Sequence, residues 1–338
     1  MITMRRFAVL SFLALSCYGQ GLEFIKSHYT KYEFQIPMRD GKRLFTSVYV
    51  PKDAGQKYPI MLSRTPYSVS PYGVENYKTS LGPSERFARE EFIFVYQDVR
   101  GRYLSEGDFV NMTPHRDVKR GPQDTDESTD TYDTIEWLTH HVPNNGNVGM
   151  WGISYPGFYT SAGIIDAHPA LKAASPQAPI ADWFIGDDFH HNGTLYLPHM
   201  FRFFSSFGHP RPEPTLPLPG PPSSALTQQD GYSFFLGLGP LSNVNEKFFK
   251  NDVPFWTEIT QHPSYDEFWQ ARDLRRHLKN IKPAVMTVGG WFDAEDLFDN
   301  RAGEELNAGV GDGALEHDAA GAETLGAIDE RDLGGEAR

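Results

Sequence analysis

Short apolar runs alternate with polar turns rich in glycine and proline over the first half of the chain. Two runs on either side of residues 38–42 predict a β-hairpin. Four later runs predict buried strands, and polar or amphipathic stretches between them predict helices. The predicted strands cover 32–36, 43–50, 58–64, 91–98, 147–151 and 172–175, and the predicted helices cover a stretch between 64 and 91, then 133–141 and 158–165. This alternation indicates an α/β fold with a mostly parallel sheet.

Residues 199–281 lose this alternation and become rich in phenylalanine, with a proline-dense stretch at 209–222. The pattern predicts a helical cap inserted over the active site. A loop-rich extension of the core is the alternative interpretation. The apolar run 283–291 predicts a return to the sheet, so we expect a core over 20–198, a cap over 199–281 and a returning segment over 282–300.

The net charge of the chain disfavours one class of binding partner. Its 338 residues carry a net charge of −13, and 14% of them are aromatic. Nucleic-acid binding normally needs a basic face, so an acidic surface disfavours it.

The amino-terminal segment predicts export. Arg5 and Arg6 precede the apolar run 7–15, which is too short to span a membrane and is typical of a signal peptide over 1–19. A buried first strand is the alternative. We therefore expect a secreted or periplasmic protein with no membrane span. The only cysteine, Cys17, lies in this segment, so no disulfide is expected, and a lipid anchor at Cys17 is a second alternative.

The carboxyl-terminal segment 301–338 differs in composition from the rest. It has eight glycines, eight alanines, ten acidic residues and no aromatic residue. Such a composition cannot bury enough apolar surface to offset the entropy of ordering, so the segment is predicted to be disordered or loosely helical. A change of reading frame near Asn300 explains the shift better than a natural acidic tail.

The motif Gly152-Ile153-Ser154-Tyr155-Pro156-Gly157 lies between a predicted strand and a predicted helix. A serine on such a turn is typical of the nucleophile elbow of α/β-hydrolases. The turn would expose the Ser154 hydroxyl and direct the Tyr155 N–H at a developing oxyanion. The second glycine stands three residues after Ser154 rather than two. An ordinary glycine-flanked turn is the alternative.

A serine nucleophile needs a base and an acid, and in this fold they follow the serine in the order acid, then histidine. Asp293, directly after the returning run, is the candidate acid, with a turn-capping role as the alternative. The only later histidine is His317, in the acidic tail; the earlier histidines break the order, among them His140, His141, His190, His191 and His199.

His190 and His191, close to Asp187 and Asp188, do not predict a metal site, because neighbouring side chains on a strand point to opposite faces and no third ligand is suitably spaced. No cofactor is expected.

Five motifs in the same order resemble the X-Pro dipeptidyl-peptidase-like hydrolases, a family that includes cocaine-esterase-like enzymes, glutaryl-cephalosporanate acylases and α-amino acid ester hydrolases. They are Arg64-Thr65-Pro66-Tyr67, Asp98-Val99-Arg100-Gly101-Arg102-Tyr103, Ser105-Glu106-Gly107, the Ser154 motif with its late glycine, and Gly290-Trp291-Phe292-Asp293. The resemblance extends from about Tyr32 to Asp296. It implies an α/β-hydrolase fold with a helical cap.

The resemblance also implies roles for individual residues. Ser154 would be the nucleophile, Asp293 the acid of the triad, and the Tyr67 hydroxyl and Tyr155 N–H the oxyanion donors. Similarity to the α-amino acid ester hydrolases implies that three carboxylates hold a substrate ammonium group: Asp188, Glu295 and Asp296. A packed tyrosine is the alternative for Tyr67, and acidic residues at the start of a helix are the alternative for Glu295 and Asp296.

The chain departs from this family after Asp293. Relatives continue through a last core strand, the histidine and a jelly-roll domain, so the sequence predicts a truncated or frame-shifted hydrolase that lacks them. We expect an exported serine hydrolase acting on a small ester or amide of an α-amino acid. The alternatives are an inactive remnant without the histidine and an X-Pro dipeptidyl-peptidase.

Overall fold

The computed structural model describes residues 21–185, 188–191, 193–211, 213–217 and 230–290. The predicted signal peptide with Cys17 and the acidic tail with His317 lie outside the described residues. Asp293, Glu295 and Asp296 also lie outside them.

The described strands form a seven-stranded sheet and a separate two-stranded hairpin. In chain order they are β1 (Tyr29–Pro37), β2 (Arg43–Pro51), β3 (Ile60–Thr65), β4 (Ile93–Asp98), β5 (Val148–Ile153), β6 (Leu171–Gln177), β7 (His190–His191), β8 (Thr194–Leu195) and β9 (Ala284–Val285). The order across the large sheet is β1-β2-β4-β3-β5-β6-β9. The hairpin β1–β2 and the pair β2–β4 are antiparallel, and the other neighbours are parallel. The predicted mostly parallel α/β sheet is confirmed.

The sheet core explains why the predicted runs become strands. Ile60, Leu62, Val95, Val148 and Met150 are each at most 1% exposed. They lie on β3, β4 and β5, which are central and parallel and therefore covered on both faces. This central position places the carboxyl ends of β3 and β5 side by side at one edge of the sheet.

The helices of the core are α1 (Leu22–His28), α2 (Glu85–Arg89), α3 (Glu127–His141) and α4 (Tyr155–Gly163). Helix α3 begins six residues before the predicted start at 133, because its first turns bury polar rather than apolar residues. A capping box starts it: the Asp126 carboxylate accepts from the Thr129 N–H at 2.9 Å, and the Thr129 hydroxyl accepts from the Asp126 N–H at 2.9 Å.

The prediction of a helical stretch between β3 and β4 was largely wrong. The only helix described there is the five-residue α2. Pro66, Pro71 and Pro83 interrupt the segment, and proline cannot donate the hydrogen bond that a helix interior requires.

The described parts of the segment after the β7–β8 hairpin contain several helices, as its composition predicted. It contains α5 (Leu197–Phe204), α6 (Gly231–Leu238), α7 (Ser242–Val244), a π-helix (Asn245–Phe249), α8 (Pro254–Gln261), α9 (Glu267–Gln270) and a 3₁₀-helix (Leu274–His277). Aromatic rings join it to the core: Phe204 lies 5.4 Å from Phe189, and Phe255 lies 5.7 Å from Trp183, between ring centroids. Its role as a cap over the active site stays a prediction.

Strand β9 pairs in parallel with β6, as the run 283–291 predicted, although only two of those residues form the strand. Across the described ranges, no helix combines the length and the apolar character needed to cross a membrane.

Candidate active site

Ser154 occupies a sharp turn between the end of β5 and the start of α4. Its backbone has φ 63° and ψ −124°. A non-glycine residue in this region is strained by about 1–3 kcal/mol, and such strain persists where the surroundings enforce it. The predicted sequence of strand, turn and helix around Ser154 is confirmed.

The two glycines of the motif are required by close packing. A Cβ on Gly152 would lie 2.2 Å from the Pro156 carbonyl oxygen, and a Cβ on Gly157 would lie 2.8 Å from the Gln177 carbonyl oxygen. Both separations are well inside van der Waals contact. Gly157 therefore faces β6, which explains why a glycine is needed three residues after Ser154.

Tyr155 is fixed by its side chain while its backbone N–H begins a helix. The Tyr155 ring is fully buried, and its hydroxyl accepts from the Met112 N–H at 2.8 Å and donates to Asn111 Oδ1 at 3.1 Å. The first N–H groups of a helix have no intrahelical acceptor. The Tyr155 N–H, directly after Ser154, is thus suited to bind an oxyanion beside the hydroxyl.

Tyr67 lies on the turn after β3, the parallel neighbour of β5. Its N–H donates to the Thr65 hydroxyl at 3.1 Å, and its side chain is 43% exposed. The Tyr67 ring centroid lies 6.2 Å from that of Tyr155 and 5.6 Å from that of Phe207. The structure therefore brings Tyr67 next to the elbow, and its hydroxyl remains a candidate oxyanion donor.

Arg102 positions the turn that carries Tyr67, a role that the sequence did not single out. Its Nε donates to the Pro66 carbonyl at 2.9 Å, and its guanidinium lies 4.6 Å from the Phe207 ring centroid and 5.0 Å from that of Phe109. Arg102 also lines a cavity of about 310 Å³ together with Arg211 and Arg272. The presence of Arg102 in the motif Asp98-Val99-Arg100-Gly101-Arg102-Tyr103 could have indicated this role from the sequence.

Asp98, from the same motif, has a structural role as a hydrogen-bond acceptor. Its carboxylate accepts from the Val69 N–H at 3.0 Å and the Tyr72 hydroxyl at 2.9 Å. Burial raises the pKa of Asp98 to about 7, against the opposing effect of those hydrogen bonds. Both donors belong to the loop that follows Tyr67, so Asp98 holds that loop against β4.

Two motif arginines and three carboxylates form what we call the arginine cluster: Arg64, Arg100, Asp40, Glu127 and Asp130. The fully buried Arg64 pairs with Glu127 at 3.0 Å. Arg100 pairs with Asp40 and with Asp130, each at 2.6 Å. Each arginine has carboxylate partners, which favours a structural role for the cluster.

Asp188 lies between the sheet and the helical segment. Its Oδ1 is 3.5 Å from Nε2 of His199, and its side chain is 14% exposed. The next residue, Phe189, packs on Trp183, whose ring centroid lies 5.4 Å from that of Tyr155. Two aromatic contacts therefore connect Asp188 to the elbow. Its predicted partners Glu295 and Asp296, and the candidate acid Asp293, lie outside the described residues.

Four of the histidines named from the sequence make contacts with groups other than Ser154. His199 pairs with Asp188, His190 is buried with Nδ1 3.3 Å from the Trp183 carbonyl oxygen, and His140 and His141 end α3. In these ranges no histidine forms a hydrogen bond with the Ser154 hydroxyl. Asp187 of the rejected metal grouping lies outside the described residues.

The sheet order and the strained serine between β5 and α4 define an α/β-hydrolase fold. The model of the family described as X-Pro dipeptidyl-peptidase (S15 family) matches residues 40–302. The chain belongs to this family, and the resemblance predicted from its motifs is confirmed.

Three relatives show how much of the family architecture the chain covers. It is similar to an aminopeptidase from a marine sediment Thaumarchaeota archaeon, with 33% identity, TM-score 0.73 and 86% of this chain matching 48% of that one. An α-amino acid ester hydrolase gives 31% identity, TM-score 0.66, and coverage of 83% and 46%. A cocaine esterase from Rhodococcus sp. is 28% identical over 268 residues, or 76% of this chain and 43% of the esterase. The chain thus spans less than half the length of each relative.

Proposed function

We propose that this chain carries the nucleophile and oxyanion site of a serine hydrolase that acts on esters or amides of α-amino acids. The observation that carries the proposal is the Ser154 elbow, with its positive φ and its two glycines packed against Pro156 and Gln177. Family membership supports acyl transfer as the reaction class.

In the proposed reaction the Ser154 hydroxyl oxygen attacks the substrate carbonyl carbon. A general base takes the hydroxyl proton, and Asp293 orients that base. The Tyr155 N–H and the Tyr67 hydroxyl donate hydrogen bonds to the oxyanion of the tetrahedral intermediate. As it collapses, the protonated base gives its proton to the leaving oxygen or nitrogen, so the alcohol or amine departs and an acyl group stays on Ser154. The base then takes a proton from the water that attacks the acyl carbon, and returns it to the Ser154 oxygen as the acid is released.

The preference for a free α-amino group rests on charge. We propose that Asp188, Glu295 and Asp296 hold the substrate ammonium group. A carboxylate and an ammonium ion about 4 Å apart attract by about 4 kcal/mol at an effective dielectric near 20, before desolvation. Two of the relatives are named for substrates with such a group, an aminopeptidase and an α-amino acid ester hydrolase.

The test compares three chromogenic substrates on the full chain: a p-nitrophenyl ester of an α-amino acid, its N-acetyl derivative, and an X-Pro p-nitroanilide. The proposal expects fastest hydrolysis of the free amino ester. Ser154→Ala should abolish it, and Ser205→Ala, at an exposed serine that donates to the Arg202 carbonyl, should not.

Asp188→Asn should raise KM for the amino ester and leave the N-acetyl ester unchanged. Preference for the X-Pro substrate would instead support the dipeptidyl-peptidase that the family description names. No turnover of any substrate would contradict the proposal and support an inactive remnant.

We also propose export, which the residues around Arg5, Arg6 and the run 7–15 support. Secretion or a periplasmic location would follow. Amino-terminal sequencing of the protein from its producing cell tests this: a start near residue 20 supports it, and an intact start at Met1 contradicts it.

A further inference from the structure

Two histidines and an aspartate come together between the core and the helical segment. His115 and Asp117 lie on the loop between β4 and α3, and His277 ends the 3₁₀-helix. One ligand atom from each of the three lies within 4.8 Å of the others. Nδ1 of His277 is 2.8 Å from Asp117 Oδ1, and the two imidazole centroids are 4.8 Å apart. This grouping is independent of the proposed catalytic residues.

Charged groups surround His115. Asp126 Oδ2 lies 3.3 Å from Nδ1 of His115, while Nε2 on the other side of the ring lies 3.9 Å from Asp166 Oδ2. Each ring nitrogen of His115 therefore faces a carboxylate, and carboxylates beside the imidazole are common around histidines that bind metals. Lys119 pairs with Asp126 at 3.3 Å and with Asp166 at 3.0 Å, which offsets part of their charge.

The grouping is accessible from the surface of the protein. The three residues line a cavity of about 630 Å³ at the surface, which gives an ion a path of entry.

We propose that His115, Asp117 and His277 bind a divalent transition-metal ion of the Zn²⁺ type. Two imidazoles and one carboxylate suit Zn²⁺, Ni²⁺ or Cu²⁺, whereas Mg²⁺ and Ca²⁺ prefer oxygen ligands. Zinc–ligand bonds are about 2.0–2.2 Å long, so the ligand atoms must move closer together on binding. The Asp117 side chain, which is 75% exposed, has the freedom to do so.

Binding would join parts of the chain that are 160 positions apart in sequence. The ion would fix the 3₁₀-helix of the helical segment to the loop that precedes α3. Because a ligand that binds only the folded state stabilises it by mass action, Zn²⁺ should raise the thermal midpoint in a concentration-dependent way.

The experiment uses the untagged full chain, stripped with a chelator and dialysed. Zn²⁺ and, separately, Mg²⁺ are titrated by calorimetry, and the thermal midpoint is followed in parallel. We expect one Zn²⁺ per chain, a higher midpoint with Zn²⁺, and no effect of Mg²⁺.

Two variants and a matched control locate the site. His277→Ala and Asp117→Asn should each weaken Zn²⁺ binding at least about tenfold and remove the rise in midpoint. Asp117 is exposed, so its variant should fold even if His277→Ala does not. The control is His262→Ala, because His262 pairs with Asp266 at 2.7 Å but is absent from the three-residue grouping. No Zn²⁺ binding by the wild type, or equal binding by His277→Ala, Asp117→Asn and His262→Ala, would overturn the proposal.

Discussion

The Ser154 elbow and the two arginines of the arginine cluster come from motifs of one family, but substitutions in the two regions should have different effects. In the cluster, the fully buried Arg64 meets Glu127 at 3.0 Å, and Arg100 meets two carboxylates. In the elbow, Ser154 holds a strained backbone next to Ile153, which is 53% exposed. Buried charges that meet carboxylate partners hold parts of a fold together, whereas backbone strain at a serine is typical of a functional site.

The contrast also predicts that substitutions in the cluster reduce stability, whereas substitutions at the elbow reduce activity. Removing one partner from the cluster leaves a buried charge without compensation and should reduce stability. Removing the hydroxyl of Ser154 leaves the packing of the turn intact and should reduce activity alone. Four variants test whether this division between stability and chemistry holds.

The largest expected loss of stability comes from Arg64→Ala. It leaves the Glu127 carboxylate buried and unpaired, so we expect the free energy of unfolding to fall by about 3–5 kcal/mol. Arg43→Ala is the matched control, because Arg43 pairs with Glu106 at 3.2 Å at a half-exposed site and should cost less than about 1 kcal/mol. Urea unfolding of both variants measures the difference; equal losses would mean that the cluster has no special structural role.

Tyr67→Phe tests the elbow side of the comparison. Loss of an oxyanion donor should lower kcat about 100- to 1000-fold, or about 2.7–4 kcal/mol, without a change in unfolding free energy. Tyr32→Phe is the control, since Tyr32 is 45% exposed, close to the 43% of Tyr67, but lies on β1. Steady-state kinetics on the amino ester provide the measurement, and an unchanged kcat would remove Tyr67 from the oxyanion site.

Asp126→Ala should weaken the cluster indirectly, because Asp126 caps the helix that carries Glu127 and Asp130. Burial raises the pKa of Asp126, but the N–H groups of Arg116 and Thr129 outweigh it, so the pKa lies below its ordinary value. A carboxylate with a lowered pKa stabilises the fold above its unfolded pKa and loses that contribution as pH falls.

We therefore expect Asp126→Ala to cost about 1–2 kcal/mol at about pH 7 and less at about pH 3. Urea unfolding at both pH values measures this change. Asp124→Ala is the control, because Asp124 pairs with Arg116 at a more exposed position and does not cap α3. A cost for Asp126→Ala that does not shrink on acidification would contradict the assigned role of its charge.

The smallest expected effect is a gain in stability at Ser154. Glycine adopts a positive φ without strain, so Ser154→Gly should stabilise the fold by about 1 kcal/mol once the entropy cost of glycine is subtracted. Ser154→Ala keeps the Cβ and the strain, and should leave stability unchanged. Thermal unfolding distinguishes the two variants; equal midpoints would show that the turn is not strained by its side chain.

The sheet was predictable because its strands are buried and their apolar runs are continuous. Prediction from the sequence failed where buried residues are polar and no apolar run marks the element. The first turns of α3 bury Ser128, Thr129 and Asp130, which no apolar period reveals. The loop after β3 is held by hydrogen bonds that its own Val69 and Tyr72 donate to Asp98, which is far away in sequence.

In the candidate site, too, features with a local sequence pattern could be predicted and contacts between distant residues could not. Ser154 and its glycines carry a local pattern, so the elbow geometry could be predicted from the sequence. Arg102 acts through the Pro66 carbonyl, a contact over 36 positions that no local pattern encodes. His115, Asp117 and His277 meet only through the packing of the helical segment on the core.

The most direct test of the central claim is covalent labelling of the full chain with a fluorophosphonate, followed by mass spectrometry of its peptides. Such probes phosphonylate a serine whose hydroxyl is activated as a nucleophile. We expect one adduct, on Ser154, that is absent from Ser154→Ala and present in Ser205→Ala. No adduct, or an adduct on another serine that persists in Ser154→Ala, would contradict the assignment of Ser154 as the nucleophile.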